Sequence, residues 1–169
     1  YPISDSSHAQ VTQIRDAVPS PDGKKLAFTA LNRLYIMDYP NGNPKRVSSN
    51  NFTEAQPRWS PDGKSIVFSS WTPDGGHIFK VPLTGKAGIQ QLTKQPGMYQ
   101  FVRFNQAGDR IEILRSSAES YKQSISPFYN GAEDDLCWIP ANGGELTVID
   151  KAAGRYNPHF VKGCVCLLN

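Results

Sequence analysis

Catalysis needs proton donors, nucleophiles or metal ligands at spacings that let them act together. The histidines, His8, His77 and His159, are widely separated, and no His-x-His, His-Glu-x-x-His or Cys-x-x-Cys pattern occurs. No metal site and no cofactor is therefore expected. Cys137, Cys164 and Cys166 are too few for a disulfide framework or a four-ligand zinc site, although Cys164 and Cys166 would share one face of a strand. No serine sits in Gly-x-Ser-x-Gly, and Ser20 and Ser60 lie in turn sequences where their hydroxyls can bond backbone. Asp22 and Asp62 occupy identical pentapeptides, so repetition points to a structural role for both. The chain on its own reads as a non-enzyme, with the question left open because catalytic sets need not follow known spacings.

The elements that would position these residues come from a repeat. Ser20-Pro21-Asp22-Gly23-Lys24 returns as Ser60-Pro61-Asp62-Gly63-Lys64 and, worn, as Asn105-Gln106-Ala107-Gly108-Asp109. A period of about 40 residues is typical of propellers and solenoids. Pro presets one corner of the turn, Asp can bond nearby amides, and Gly accepts the left-handed backbone. Each turn precedes a strand-like run: Leu26 to Thr29, Ile66 to Ser69, Ile111 to Leu114. Short segments ending in a bulky residue precede the turns: Gln56 to Trp59, Phe101 to Phe104, Asn157 to Phe160 and, more weakly, Asp16 to Pro19. Third strands are expected at Arg33 to Asp38, His77 to Val81 and Asp135 to Ile139. Fourth strands follow at Lys45 to Ser48, Gln90 to Thr93 and Leu146 to Ile149. Four antiparallel strands per repeat make the blade of an all-β propeller.

Trp59-Ser60-Pro61-Asp62-Gly63-Lys64, then Ile66-Val67-Phe68, Ile78-Phe79-Lys80-Val81 and Gln91-Leu92-Thr93 resemble the WD40-like (PD40) repeat of TolB-like β-propellers. That resemblance implies six or seven blades in the intact propeller, a periplasmic or secreted location in bacteria, and binding of partner proteins. Residues 53–59, 96–100 and 154–160 also resemble TolB-like propellers that precede amidohydrolase domains. The chain departs from the family in blade number. An N-terminal arm (1–16) precedes blade 1 (17–48), blade 2 (54–93) and blade 3 (99–150, with a long insertion at 116–134). Residues 155–169 only begin blade 4. This partial propeller of about three and a half blades would leave apolar blade faces open, so either it is part of a longer protein or two copies meet in a homodimer that completes the ring.

Of the 169 residues, 38% are hydrophobic and 20% charged, with 14 Gly and 13 Pro, a composition suited to short strands and tight turns. The net charge of +3 is spread along the chain, which argues against nucleic acid as a partner. No apolar run reaches the ~18 residues of a membrane helix, so no membrane insertion is expected. Function is instead expected where rigid strands present loops at the channel mouth. Aligned by repeat, the segments leading into the inner strands offer Asp16; Glu54 and Gln56; Tyr99 and Gln100; Arg155 and Asn157. Arg58, Arg103 and His159 fall at one shared position on those strands, where they can either bind a ligand or pack their stems and pair with local carboxylates. The expected role is binding of a protein or peptide, with an accessory propeller of a longer amidohydrolase or serine peptidase as the alternative.

Overall fold

The computed structural model describes residue 11 and residues 13–85, 88–116, 134–161 and 164–168, with backbone only for 159–161 and 164. His8, most of the N-terminal arm, and residues 117–133 of the insertion lie outside these residues.

Blades 1, 2 and 3 each begin with the hairpin anticipated from the repeat. In the first copy Ser20 Oγ–H donates to Asp22 Oδ1 at 2.6 Å, while the same Ser20 oxygen accepts from Lys25 N–H at 2.9 Å. Asp22 Oδ1 also accepts from Lys24 N–H at 3.1 Å. The second copy repeats the pattern with Ser60, Asp62, Lys64 and Ser65 at 2.5–3.0 Å. The serine hydroxyl, and then the backbone N–H, hold both aspartate carboxyls below their ordinary range. In the third copy a single amide does both jobs, because Asn105 Oδ1 accepts from Asp109 and Arg110 N–H at 3.1 Å each. Gly63 turns at φ 69°, and a Cβ there would sit 3.6 Å from Pro21 Cδ, so successive turns lie side by side.

From these hairpins run four antiparallel sheets. Blade 1 has the order β1 (Arg15–Pro19), β2 (Lys25–Ala30), β3 (Arg33–Asp38), β4 (Lys45–Arg46). Blade 2 is β5 (Thr53–Trp59), β6 (Ser65–Trp71), β7 (Ile78–Pro82), β8 (Gln90–Gln91). Blade 3 is β9 (Met98–Phe104), β10 (Arg110–Ser116), β11 (Asp135–Pro140), β12 (Thr147–Lys151). Blade 4 is represented by β13 (Tyr156–Val161) and β14 (Cys164–Leu168). The first strands neighbour one another, β1 against β5, β5 against β9 and β9 against β13, and form the inner row.

The core lies between sheets. Ala27 and Leu34 of blade 1 meet Ile66, Phe68 and Val81 of blade 2. Val67, Ile78 and Leu92 of blade 2 meet Val102, Phe104, Ile111 and Ile113 of blade 3. Leu114 and Leu136 of blade 3 meet Val165 and Leu167 of β14. Each fully buried large apolar side chain contributes about 1.5–3 kcal/mol, so every blade depends on its neighbours for stability.

Candidate functional site

The inner strands extend further toward the chain's N-terminus than their sequence suggested. Glu54, Tyr99 and Gln100 therefore lie in strands β5 and β9 and not in loops leading into them, while Asp16, Gln56 and Asn157 lie in β1, β5 and β13 as the strand segments suggested. The extension was hidden by a bulge repeated in every blade. Asp16, Gln56, Phe101 and Asn157 have φ of 53°, 53°, 53° and 50°, and each sits where the pairing register with the second strand shifts. A left-handed backbone costs a residue with a side chain roughly 1–2 kcal/mol, with Asp and Asn tolerating it best. Bonds between blades offset part of that cost. Gln56 N–H donates to Asp16 Oδ2 at 3.1 Å, and Phe101 N–H donates to Gln56 Oε1 at 2.7 Å. The structural equivalent of Gln56 in blade 3 is thus Phe101, not Gln100.

Phe101 has no side-chain acceptor, so blade 3 joins blade 4 differently. Arg103 Nη2 donates to Asn157 Oδ1 at 3.3 Å, and the Phe101 and Tyr156 rings lie 6.4 Å apart. Arg58 and Arg103 share one register position, opposite Val67 and Glu112, and His159 follows opposite Cys166. Arg58 is half-buried and spends one Nη on the carbonyl of Pro57 at 2.8 Å. Its pKa is lowered by burial and by the positive charge of Arg103, against a smaller opposing pull from Asp16. Among the described residues neither Arg58 nor Arg103 is in an ion pair.

Glu112 stands beside this pair. It is only 3% exposed, and its Oε2 has no hydrogen-bond partner among the described residues. Burial pushes its carboxyl up to about 7, with Arg103 pulling the other way. The preceding blades carry Ala27 and Val67 at the same register position, and aligning the three second strands would have exposed this carboxyl in the sequence.

Other sequence-selected residues serve the scaffold. Glu54 is buried, with Oε2 accepting from Leu34 N–H at 2.6 Å and Oε1 accepting from the Ser48 hydroxyl, so it clasps blade 2 to blade 1. Tyr99 is buried and donates its hydroxyl to Gln95 O at 2.7 Å. Arg155 folds back on its own turn, donating to Ala152 O at 2.9 Å and Lys151 O at 3.0 Å. Gln100 is half-buried on β9, and the side chain of His159 lies outside the description. What is left of the candidates is the inner-strand row of Asp16, Arg58, Arg103 and Asn157.

No protein-family model matches the chain. It is 28% identical over 160 residues to a protein of Sulfurisphaera tokodaii described as a tricorn-like protease N-terminal subunit, covering 86% of this chain and 78% of that one. It is 26% identical over 134 residues to tricorn protease homolog 1 of Streptomyces coelicolor, of which it spans only 11%. A solved structure described as TolB from Agrobacterium tumefaciens superposes with a TM-score of 0.68 at 19% identity, covering 83% of this chain and 50% of that one. Together with the repeat and the four-stranded sheets, this likeness gives the chain the TolB-like fold, a β-propeller built from WD40-like repeats.

Proposed function

We propose that the chain is a non-catalytic interaction module whose inner-strand row holds a protein or peptide segment. The observation that carries this reading is the Arg58 and Arg103 pair, two half-buried guanidiniums on neighbouring inner strands with no carboxylate in ion-pair reach among the described residues. A charge brought partly out of water without a counter-ion is costly to keep, and binding sites accept such costs. Retention of peptides from a casein digest on the immobilised chain tests it. Peptides held by the wild type and released by the Arg58→Ala/Arg103→Ala variant are expected; a column that retains nothing removes the reading. As the family resemblance implies, the module would work in the periplasm or outside the cell.

The alternative is an accessory propeller that guides substrates to a hydrolase domain. The tricorn-type relatives favour a peptidase for that domain over an amidohydrolase. The coding sequence downstream of Asn169 decides: a Gly-x-Ser-x-Gly motif supports a serine peptidase, and a His-x-His motif supports an amidohydrolase.

A further inference from the structure

Arg58 and Arg103 have more hydrogen-bonding capacity than the protein uses. A guanidinium offers five N–H donors in a planar fork. Arg58 directs one donor to Pro57 O, and Arg103 directs one to Asn157 Oδ1 over a long 3.3 Å. The two groups occupy one register position on the neighbouring inner strands β5 and β9, and Arg103 disfavours the charge on Arg58. An anion between two such groups relieves their repulsion and accepts the spare donors, often as a bidentate pair. Charge then selects the kind of anion. Arg58 feels one exposed carboxylate, Asp16, and Arg103 stands opposite the buried Glu112, whose carboxyl is pushed up to about 7. With Asp16 ionised, the net charge is at most one positive, reached when Glu112 holds its proton, and it matches a monoanion better than a dianionic phosphate.

We propose that Arg58 and Arg103 form a carboxylate-binding site on the inner-strand row, with Asn157 orienting the Arg103 fork, and that it anchors a peptide by its C-terminal carboxylate or by an Asp or Glu side chain. This inference rests on the peptide-binding reading and names the part of the peptide that is recognised. Asn157 is a positioning residue here, because it acts through Arg103.

Three synthetic peptides provide the test: acetyl-Ala-Ala-Phe-Ala as the free acid, the same peptide as the amide, and acetyl-Ala-Asp-Phe-Ala amide. Each is titrated into the full chain at pH 7 while the arginine Nε–Hε signals are followed by NMR. At least one carboxylate peptide is expected to bind tenfold or more tightly than the neutral amide, and whichever does so identifies the source of the carboxylate. Arg58→Gln/Arg103→Gln is expected to erase the difference. If that variant loses its melting transition, Arg103→Lys replaces it; this variant keeps the charge, loses the fork, and is expected to bind several-fold more weakly. Equal binding of all three peptides overturns the carboxylate anchor and leaves peptide binding intact. Absence of binding by all three, alongside retention of casein peptides, also overturns the anchor.

Discussion

Glu112 shows how one residue changes the behaviour of a repeated position. Blades 1 and 2 fill that place with Ala27 and Val67, which bury without electrostatic cost, whereas a carboxyl with a partnerless oxygen resists ionisation there. Its pKa is raised to about 7 in the folded chain, against an ordinary unfolded value near 4.3. The folded state therefore holds the proton more tightly, so the stabilising effect is complete below about pH 4 and disappears as pH rises through about 7. The loss is at most roughly 3–4 kcal/mol. Arg103 is the charged group that acts on Glu112. Thermal melting at pH 5 and pH 8 should show the wild type weaker at pH 8. Glu112→Val should flatten that dependence, and His159→Asn should leave it in place. A wild-type melting point unchanged between the two pH values would contradict the assignment.

At the scale of the element, the inner strand is the unit that repeats with most structural consequence. Its bulge re-aims the residues that follow, so that Arg58 and Arg103 come to one level. The bulges are tied across blades by side chains that accept backbone N–H groups, Asp16 from Gln56 and Gln56 from Phe101. Gln56→Ala should leave the Phe101 N–H without its acceptor and lower stability by about 1–2 kcal/mol, measured by chemical denaturation. Gln56→Glu, which keeps an acceptor oxygen, should lose less; equal loss in both variants would count against the tie. The hairpins were legible in the sequence because turn chemistry is local: Ser60, Asp62 and Gly63 act within six residues. The bulges were not, since Asp16, Gln56, Phe101 and Asn157 have no residue type in common and are held by partners in another blade.

For the whole molecule, each apolar interface is made between blades, and blade 1 has a second face. By strand alternation Leu26, Phe28, Tyr35 and Met37 lie on the side of blade 1 opposite to Ala27 and Leu34, which pack against blade 2. Phe28 and Tyr35 stack there with ring centroids 5.8 Å apart. We propose that a second copy of the chain packs on the half-buried rim of this face, Leu26, Tyr35 and Met37, beside the already buried Phe28. Sedimentation equilibrium should give twice the chain mass, and Tyr35→Glu should halve it. A wild-type chain that stays monomeric at high concentration would exclude the homodimer.

The amino-acid sequence by itself determined the repeat, the hairpins, the strand order within each blade and the alignment of Arg58, Arg103 and His159, because these follow from turn residues and period-two patterning along one chain. Tertiary structure alone decided which candidates face one another. It turned Glu54 into an interblade clasp, buried Tyr99, folded Arg155 onto its own turn, and left Arg58 and Arg103 without ion-pair partners among the described residues. Those outcomes depend on contacts between blades about 40 residues apart in sequence, and no local preference encodes them.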